Sequence, residues 1–244
     1  VKSREFQPRT YRDWSRESGL VPFQVVYRET DLYIRAPSDL TARAQQSVEK
    51  HRTVLDNYIN RHPGFASSLV SLKIEKDAPS LVCAMARSAA KVGVGPMAAV
   101  AGAIAEAVGK DLLQHTPEVI IENGGDLFLK VTRTRRVGIY AGDSPLSGRL
   151  ALEIAPGDCP CGIATSSGTV GHSISFGKAD AAVVLAPSAV LADAAATAFG
   201  NRLSGPGSIE SAIAWARTIT GLRGVLAVIG NKIGAWGDIR LVTV

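Results

Sequence analysis

Val119-Ile120-Ile121-Glu122-Asn123-Gly124-Gly125-Asp126-Leu127-Phe128-Leu129-Lys130-Val131 is the stretch that decides the fold class. Two short apolar runs flank a polar turn, and Asn-Gly and Gly-Gly are favoured at tight hairpin turns because glycine reaches positive φ without steric cost. Strands joined this closely run antiparallel. Further strand-like runs follow at 137–141, 149–155, 161–165 and 180–185. Ser188 then predicts a capped helix to about Asn201, Ser208 predicts another to about Thr218, and three short strands close the chain. Working back toward the N-terminus, Phe23–Tyr27 and Leu32–Arg35 around a polar Arg28-Glu29-Thr30-Asp31 predict a first hairpin. Ser38 or Asp39 caps a helix to about Asn60, with Val48, Val54, Leu55 and Ile59 on one face and Pro63-Gly64 as its stop. Two Ala-rich helices come next, from Pro79 to Lys91 and from Met97 to about Gln114, joined by Gly93-Val94-Gly95 with Pro96 in the first turn of the second. Strands in runs, then helices in runs, predict an α+β fold with mostly antiparallel sheet and packed helices, not a doubly wound one. With no internal repeat and no low-complexity linker, residues 1–244 read as a single domain, with the hairpin and helix of residues 1–62 at its N-terminal end.

Composition narrows the function classes. At 244 residues and 46% hydrophobic, the chain can bury a sizeable core. Mean hydropathy is only +0.12, and no run approaches the roughly 20 apolar residues of a membrane helix, so no membrane partner is expected. The net charge of +5 raises nucleic acid as a partner. Its densest basic cluster, Lys130, Arg133, Arg135 and Arg136, reads as the solvated tip of a hairpin, and no zinc finger, helix-turn-helix or RNA-binding aromatic pattern goes with it. Nucleic acid is therefore not expected either. Cys83, Cys159 and Cys161 cannot form a disulfide framework and suit a reducing compartment. Val1 to Gly19 is charged and lacks an apolar segment, so a cytoplasmic location without a signal peptide is expected. The chain opens on Val1 and not Met, from which a few preceding residues are expected.

Four places could carry chemistry. Residues 162–177 hold glycines and hydroxyls around one histidine, including Thr165, Ser166, Ser167, Gly168, Gly171, His172 and Ser173. Backbone N–H groups freed by glycines, with Ser and Thr hydroxyls, can cradle phosphate oxygens, although the stretch matches neither Gly-x-x-x-x-Gly-Lys-Ser/Thr nor Gly-x-Gly-x-x-Gly. A surface loop is the plain alternative. Asp193 and Thr197 are four apart in an alanine-rich helix and so share a face. Magnesium would accept both oxygens, while the competing reading has Asp193 pairing with an Arg or capping a neighbouring turn. Asn123-Gly124-Gly125-Asp126 is first of all a turn, which leaves the bracketing acids Glu122 and Asp126 unexplained. Cys159-Pro160-Cys161 is too tight for the usual zinc or thioredoxin spacing. Redox or persulfide chemistry there requires exposed thiols of lowered pKa, and two chance cysteines are the alternative. A serine hydrolase built from Ser166, Ser167, His172 and Asp193 lacks the Gly-x-Ser-x-Gly elbow.

The order of these elements carries a resemblance. Gly93-Val94-Gly95-Pro96-Met97-Ala98-Ala99-Val100-Ala101-Gly102-Ala103, Asn123-Gly124-Gly125-Asp126, Ala164-Thr165-Ser166-Ser167-Gly168 and Ala192-Asp193-Ala194-Ala195-Ala196-Thr197 together resemble the ApbE family of FAD:protein FMN transferases, formerly linked to thiamine biosynthesis. Within it the chain looks most like the cytoplasmic ApbE-like branch of anaerobic bacteria and methanogens, over a core of about residues 90–202. The resemblance implies a T-fold-like α+β architecture holding FAD or FMN, with magnesium on the nucleotide pyrophosphate. Carried over by position, Asp193 and Thr197 would hold the metal, and Asn123, Gly124, Gly125 and Asp126 would line the flavin site. Thr165, Ser166, Ser167, Gly168, Gly171 and Ser173 would face the nucleotide, with Asp193 and His172 as candidate catalytic groups. The implied reaction is phosphoryl transfer, moving FMN from FAD to a threonine hydroxyl of an acceptor protein. Two features of the family are missing: its His-x-x-Asp-Pro-x-Thr-Gly stretch, for which His172 is the candidate substitute, and a basic residue in the helix that opens at Met97. The same branch implies a second reading, an accessory to sulfide assimilation and homocysteine formation with Cys159 and Cys161 as sulfur carriers for a sulfur-transfer protein. A third is a non-catalytic interaction module with a vestigial site. The oligomeric state is not readable.

Overall fold

The computed structural model describes residues 19–169 and 177–244. An eight-stranded sheet forms its middle layer, in the order β1 (Val21–Tyr27), β2 (Thr30–Ala36), β3 (Val119–Asn123), β4 (Asp126–Lys130), β7 (Cys161–Ser166), β8 (Ala181–Ala186), β9 (Gly224–Ile229), β10 (Lys232–Gly237), with every neighbouring pair antiparallel. A second sheet of three strands, β5 (Arg135–Gly138), β6 (Leu150–Ile154) and β11 (Leu241–Thr243), has β6 in the centre.

Alternation along the strands splits the buried residues into two cores. Phe23, Ile34, Ile121, Phe128, Ala164 and Val184 belong to the larger one, which they share with the helices. Ile120, Leu129, Cys161, Ile163, Val183 and Leu226 face the opposite way, toward the small sheet. The expected α+β architecture is therefore the observed one, as three layers.

On the larger core lie α1 (Thr41–Arg61), the single turn α2 (Gly64–Ser67), α3 (Ser80–Val92), α4 (Val100–Leu112), α5 (Ala189–Gly200) and α6 (Ile209–Arg217). Leu40, not Ser38 or Asp39, is the N-cap of α1 and makes no side-chain cap bond, while Asp39 just ahead of it accepts the Thr41 N–H at 2.8 Å; Gly93 ends α3 in the left-handed conformation at φ 75°. Ser188 caps α5 by accepting the Leu191 N–H. The second Ala-rich helix departs from the sequence expectation at its start. Residues Pro96–Ala99 form a 3-10 turn, and α-helix begins only at Val100.

Small residues let α4 approach its neighbours. A Cβ on Gly102 would lie 2.2 Å from the Ala189 carbonyl oxygen, and one on Gly109 would lie 2.2 Å from the Phe128 ring. No single helix among the described residues is long and apolar enough to cross a membrane. The apolar pair Ser80–Val92 and Pro96–Leu112 bends by 105° and is packed into the core.

The basic cluster after β4 corrects an expectation. Arg133 and Arg136 are exposed, but Arg135 is buried. Its guanidinium donates to Glu118 Oε1 from both Nε (2.8 Å) and Nη2 (2.6 Å), the two side chains being 3% and 5% exposed. A buried carboxylate needs a charged partner, and this arginine supplies it in the bidentate geometry that suits a carboxylate.

Candidate functional site

Four segments converge at one end of the large sheet. The β3–β4 hairpin turns through Gly124 (φ 68°) and Gly125 (φ 105°), conformations open to glycine and strained for other residues. Gly125 lies against the end of β7, where a Cβ would come 3.7 Å from the Thr165 carbonyl oxygen. Asn123, buried, donates from Nδ2 to the Ala101 carbonyl oxygen at 3.1 Å and ties the hairpin to the first turn of α4. Asp193, also buried and in the middle of α5, accepts the Gly102 N–H at 2.9 Å, and the Ala101 N–H points at the same carboxylate.

The electrostatics of this cluster are one-sided. Burial pushes the Asp193 carboxyl up to about 7, against the pull of the two α4 amides. Asp126 opens β4 at the hairpin's end, half-buried as a residue. Desolvation drives its carboxyl well above the usual carboxylate range, and the charges of Asp193 and Glu122 push further the same way, opposed by the Thr165 N–H. Glu122, buried, turns back to accept the Gly125 N–H at 2.8 Å. Among the described residues no Lys or Arg forms an ion pair with Asp126 or Asp193.

Asp193 and Thr197 share a face of α5 as their spacing requires, with Thr197 half-buried. Thr165 and Ser166 point to opposite faces of β7 by strand alternation, so Thr165 reaches the carboxyl cluster through its backbone N–H. Ser166 faces α5, where a Cβ on Gly200 would lie 3.1 Å from its hydroxyl. That hydroxyl is fully buried and has no hydrogen-bond partner among the described residues. Ser167 and Gly168 lead away from the strand. The Ser167 hydroxyl accepts the Thr169 N–H at 3.1 Å, and the Gly168 N–H donates to the Ala179 carbonyl oxygen at 2.9 Å. Gly171, His172 and Ser173 lie outside the described residues.

Two parts of the cluster were not expected from sequence. The amides of Ala101 and Gly102 meet Asp193 across 91 positions of chain, and the only trace of them is the small-residue run that opens α4. Glu106, buried in α4, reaches the start of α5, where it accepts from the Ser188 hydroxyl (2.8 Å) and the Val190 N–H (3.3 Å) while Lys110 holds its other oxygen at 2.6 Å. An acid in an alanine-rich helix four residues before a lysine was the available signal.

No group of three or more His, Cys, Asp or Glu side chains placed to hold a metal ion occurs among the described residues. The two cysteines Cys159 and Cys161 are not part of the cluster. They sit at the opposite end of β7 from Thr165, about 13 Å away at the ordinary rise per strand residue, and Cys161 belongs to the core on the other face.

Comparison with known proteins gives a consistent result. A family model described as AbpE bacteria matches residues 12–220. A UPF0280 protein of Methanopyrus kandleri is 42% identical over 221 residues, covering 88% of this chain and 89% of its own length. Another, from Methanospirillum hungatei, is 44% identical over 214 residues, covering 87% of this chain and 86% of its own. Among solved structures, the apo form of flavinyl transferase ApbE from Pseudomonas stutzeri superposes with a TM-score of 0.59 at 13% identity, over 89% of this chain and 94% of that one. The ApbE protein of Thermotoga maritima gives 0.56 at 11% identity, over 88% and 96%. These two likenesses speak to the fold alone. Given the family-model match and the identity to the methanogen proteins, the chain belongs to the ApbE-like family described as AbpE bacteria.

Proposed function

We propose that the chain binds a flavin nucleotide, FAD or FMN, together with magnesium where the β3–β4 hairpin, the start of α4, the end of β7 and α5 meet, and that from FAD it passes FMN to an acceptor protein by phosphoryl transfer. The observation that carries this reading is the pair Asp126 and Asp193. Two desolvated carboxyls share one field with no ion-pair partner among the described residues, which is costly unless they are protonated or meet a cation.

The donor set fits a hard divalent cation. Asp193, Asp126 and the Thr197 hydroxyl are all oxygen, and magnesium is satisfied by few protein oxygens when phosphates and water complete its shell. Asp193 would be the principal ligand. Its Oδ2 is already fixed by the Gly102 amide, which orients the carboxylate before any ligand arrives. A bound cation would supply charge neutralisation on the pyrophosphate during transfer.

The chain's own residues supply positioning. Asn123 and Glu122 hold the glycine turn in shape, so that the backbone of Gly124 and Gly125 can lie close to a planar ring. The buried Ser166 hydroxyl has no hydrogen-bond partner among the described residues. The positive end of the α4 dipole faces the same cluster and favours negative charge there.

The test is calorimetric titration of the full chain with FAD, FMN and ADP, each with and without magnesium. Saturable, magnesium-dependent binding of FAD that is lost in Asp193→Asn is the expected result, and Asn at 193 keeps an acceptor for the Gly102 amide. Incubation with FAD and a threonine-bearing acceptor protein should then release AMP. Absence of binding to any of the three nucleotides would overturn the proposal and leave a non-catalytic interaction module.

A further inference from the structure

The two cysteines of Cys159-Pro160-Cys161 play no part in the nucleotide reading, yet their arrangement is specific. Their sulfurs lie 3.9 Å apart, close enough for one S–H to donate to the other sulfur. Cys159 is half-buried and reaches solvent, while Cys161 is buried behind it between the two sheets. The Val131 N–H also donates to the Cys159 sulfur, and the Lys130 ammonium adds positive charge from the same segment, against the opposing charge of Asp158. Asp158 is itself bound by Arg223 Nη2 at 2.9 Å and by Arg240, which blunts its repulsion.

We propose that Cys159 and Cys161 form a redox-active dithiol that reduces small hydroperoxides, with Cys159 as the attacking sulfur and Cys161 as the resolving one.

Three features fit these roles. The Cys161 hydrogen bond, the largest influence, lowers the Cys159 thiol to about 7, which leaves a substantial thiolate fraction at neutral pH. The same hydrogen bond and burial push the Cys161 thiol far up, so it stays a thiol and waits. A low-pKa, solvent-reaching thiolate beside a second thiol is the general pattern of a redox-sensing cysteine.

The chemistry balances in two steps. The Cys159 thiolate attacks the outer oxygen of the hydroperoxide. The O–O bond breaks, the S–O bond of a sulfenic acid forms, and the peroxide leaves as an alcohol or water once it takes a proton. The Cys161 sulfur then attacks the Cys159 sulfur, the S–S bond forms and the S–O bond breaks. The hydroxide leaves as water with the Cys161 proton. Closure brings the sulfurs from 3.9 Å to about 2 Å, and an external dithiol returns the pair to its reduced state by exchange.

The experiment treats the full-length protein with a slight excess of hydrogen peroxide, blocks remaining thiols, and reads peptide masses. The expected result is a loss of two hydrogens on the peptide carrying Cys159 and Cys161, reversed by dithiothreitol, with Cys83 still alkylated. Cys83 is a built-in control because its S–H is engaged with the Ala78 carbonyl oxygen at 3.3 Å. Cys161→Ser should trap a dimedone-reactive sulfenic acid on Cys159, and Cys159→Ser should abolish both products. Iodoacetamide should label Cys159 about tenfold faster than Cys83 at neutral pH. Equal labelling rates, peroxide modification of Cys83 as fast as of the pair, or a gain of oxygen on the peptide carrying Cys159 and Cys161 in place of the loss would each overturn the proposal. Because alkylation is read on the unaltered chain, a variant that fails to fold does not shield the idea.

Discussion

The two ends of the β3–β4 hairpin treat a buried acid in opposite ways. At the open end, Glu118 meets Arg135 in a two-pronged ion pair and also accepts from the Thr132 hydroxyl. At the turn end, Asp126 and Asp193 lie in each other's field, and among the described residues their donors are backbone amides. The first end is internally complete, and a ligand would have nothing to add there. The second carries an electrostatic cost that a cation can remove. The same hairpin thus separates an acid used for architecture from acids left available for chemistry.

The largest effect should come from breaking the completed end. Arg135→Met leaves Glu118 buried without its charge partner and should lower stability by about 3–5 kcal/mol in denaturant unfolding. Adding Glu118→Gln in the same chain should recover much of that loss. At the turn end, pH is the sharper probe. Asp193 holds its proton in the folded state up to about 7 but loses it near 4 when unfolded, so its contribution to stability is full below about 4 and fades as pH rises to about 7. Melting without magnesium should show that decline, worth up to about 4 kcal/mol, and magnesium should restore stability above pH 7. A flat profile from pH 4 to 8 would remove the contrast between the two ends.

Asp193→Asn should then weaken magnesium-dependent nucleotide binding by at least tenfold while flattening the pH profile of stability. Calorimetry and melting read the two effects on one sample. The smallest change is at Ser166. Its hydroxyl bonds to nothing in the described structure, so Ser166→Ala should alter stability by no more than about 1 kcal/mol and weaken nucleotide binding a few-fold.

The sequence exposed whatever depends on local chemistry. Asn123-Gly124-Gly125-Asp126 announced its turn, Ser188 its cap, and Asp193 with Thr197 their common helical face, because φ preferences, capping and helical period act over a few residues. What depended on distant contacts stayed hidden. Arg135 sits in a run of basic residues that looks solvated, and its pairing with Glu118, 17 positions earlier, lies beyond any short window. The 3-10 start of α4 and the two amides aimed at Asp193 follow from the packing of α4 on α5, which no short window contains.

The strand order has a consequence for how the molecule assembles. The large sheet takes its strands nearly in chain order, so each hairpin can add to an edge already made. The small sheet does not share this convenience. Its central strand β6 is synthesised mid-chain but pairs on one side with β11, the last strand described, through Leu241–Leu152, Val242–Ala151 and Thr243–Leu150. Until that strand arrives, β6 shows an open edge and the core beneath it is uncovered on that side. Leu241, Val242 and Thr243 therefore act as a closing latch, and before they engage β6 presents an edge that can pair with a neighbour.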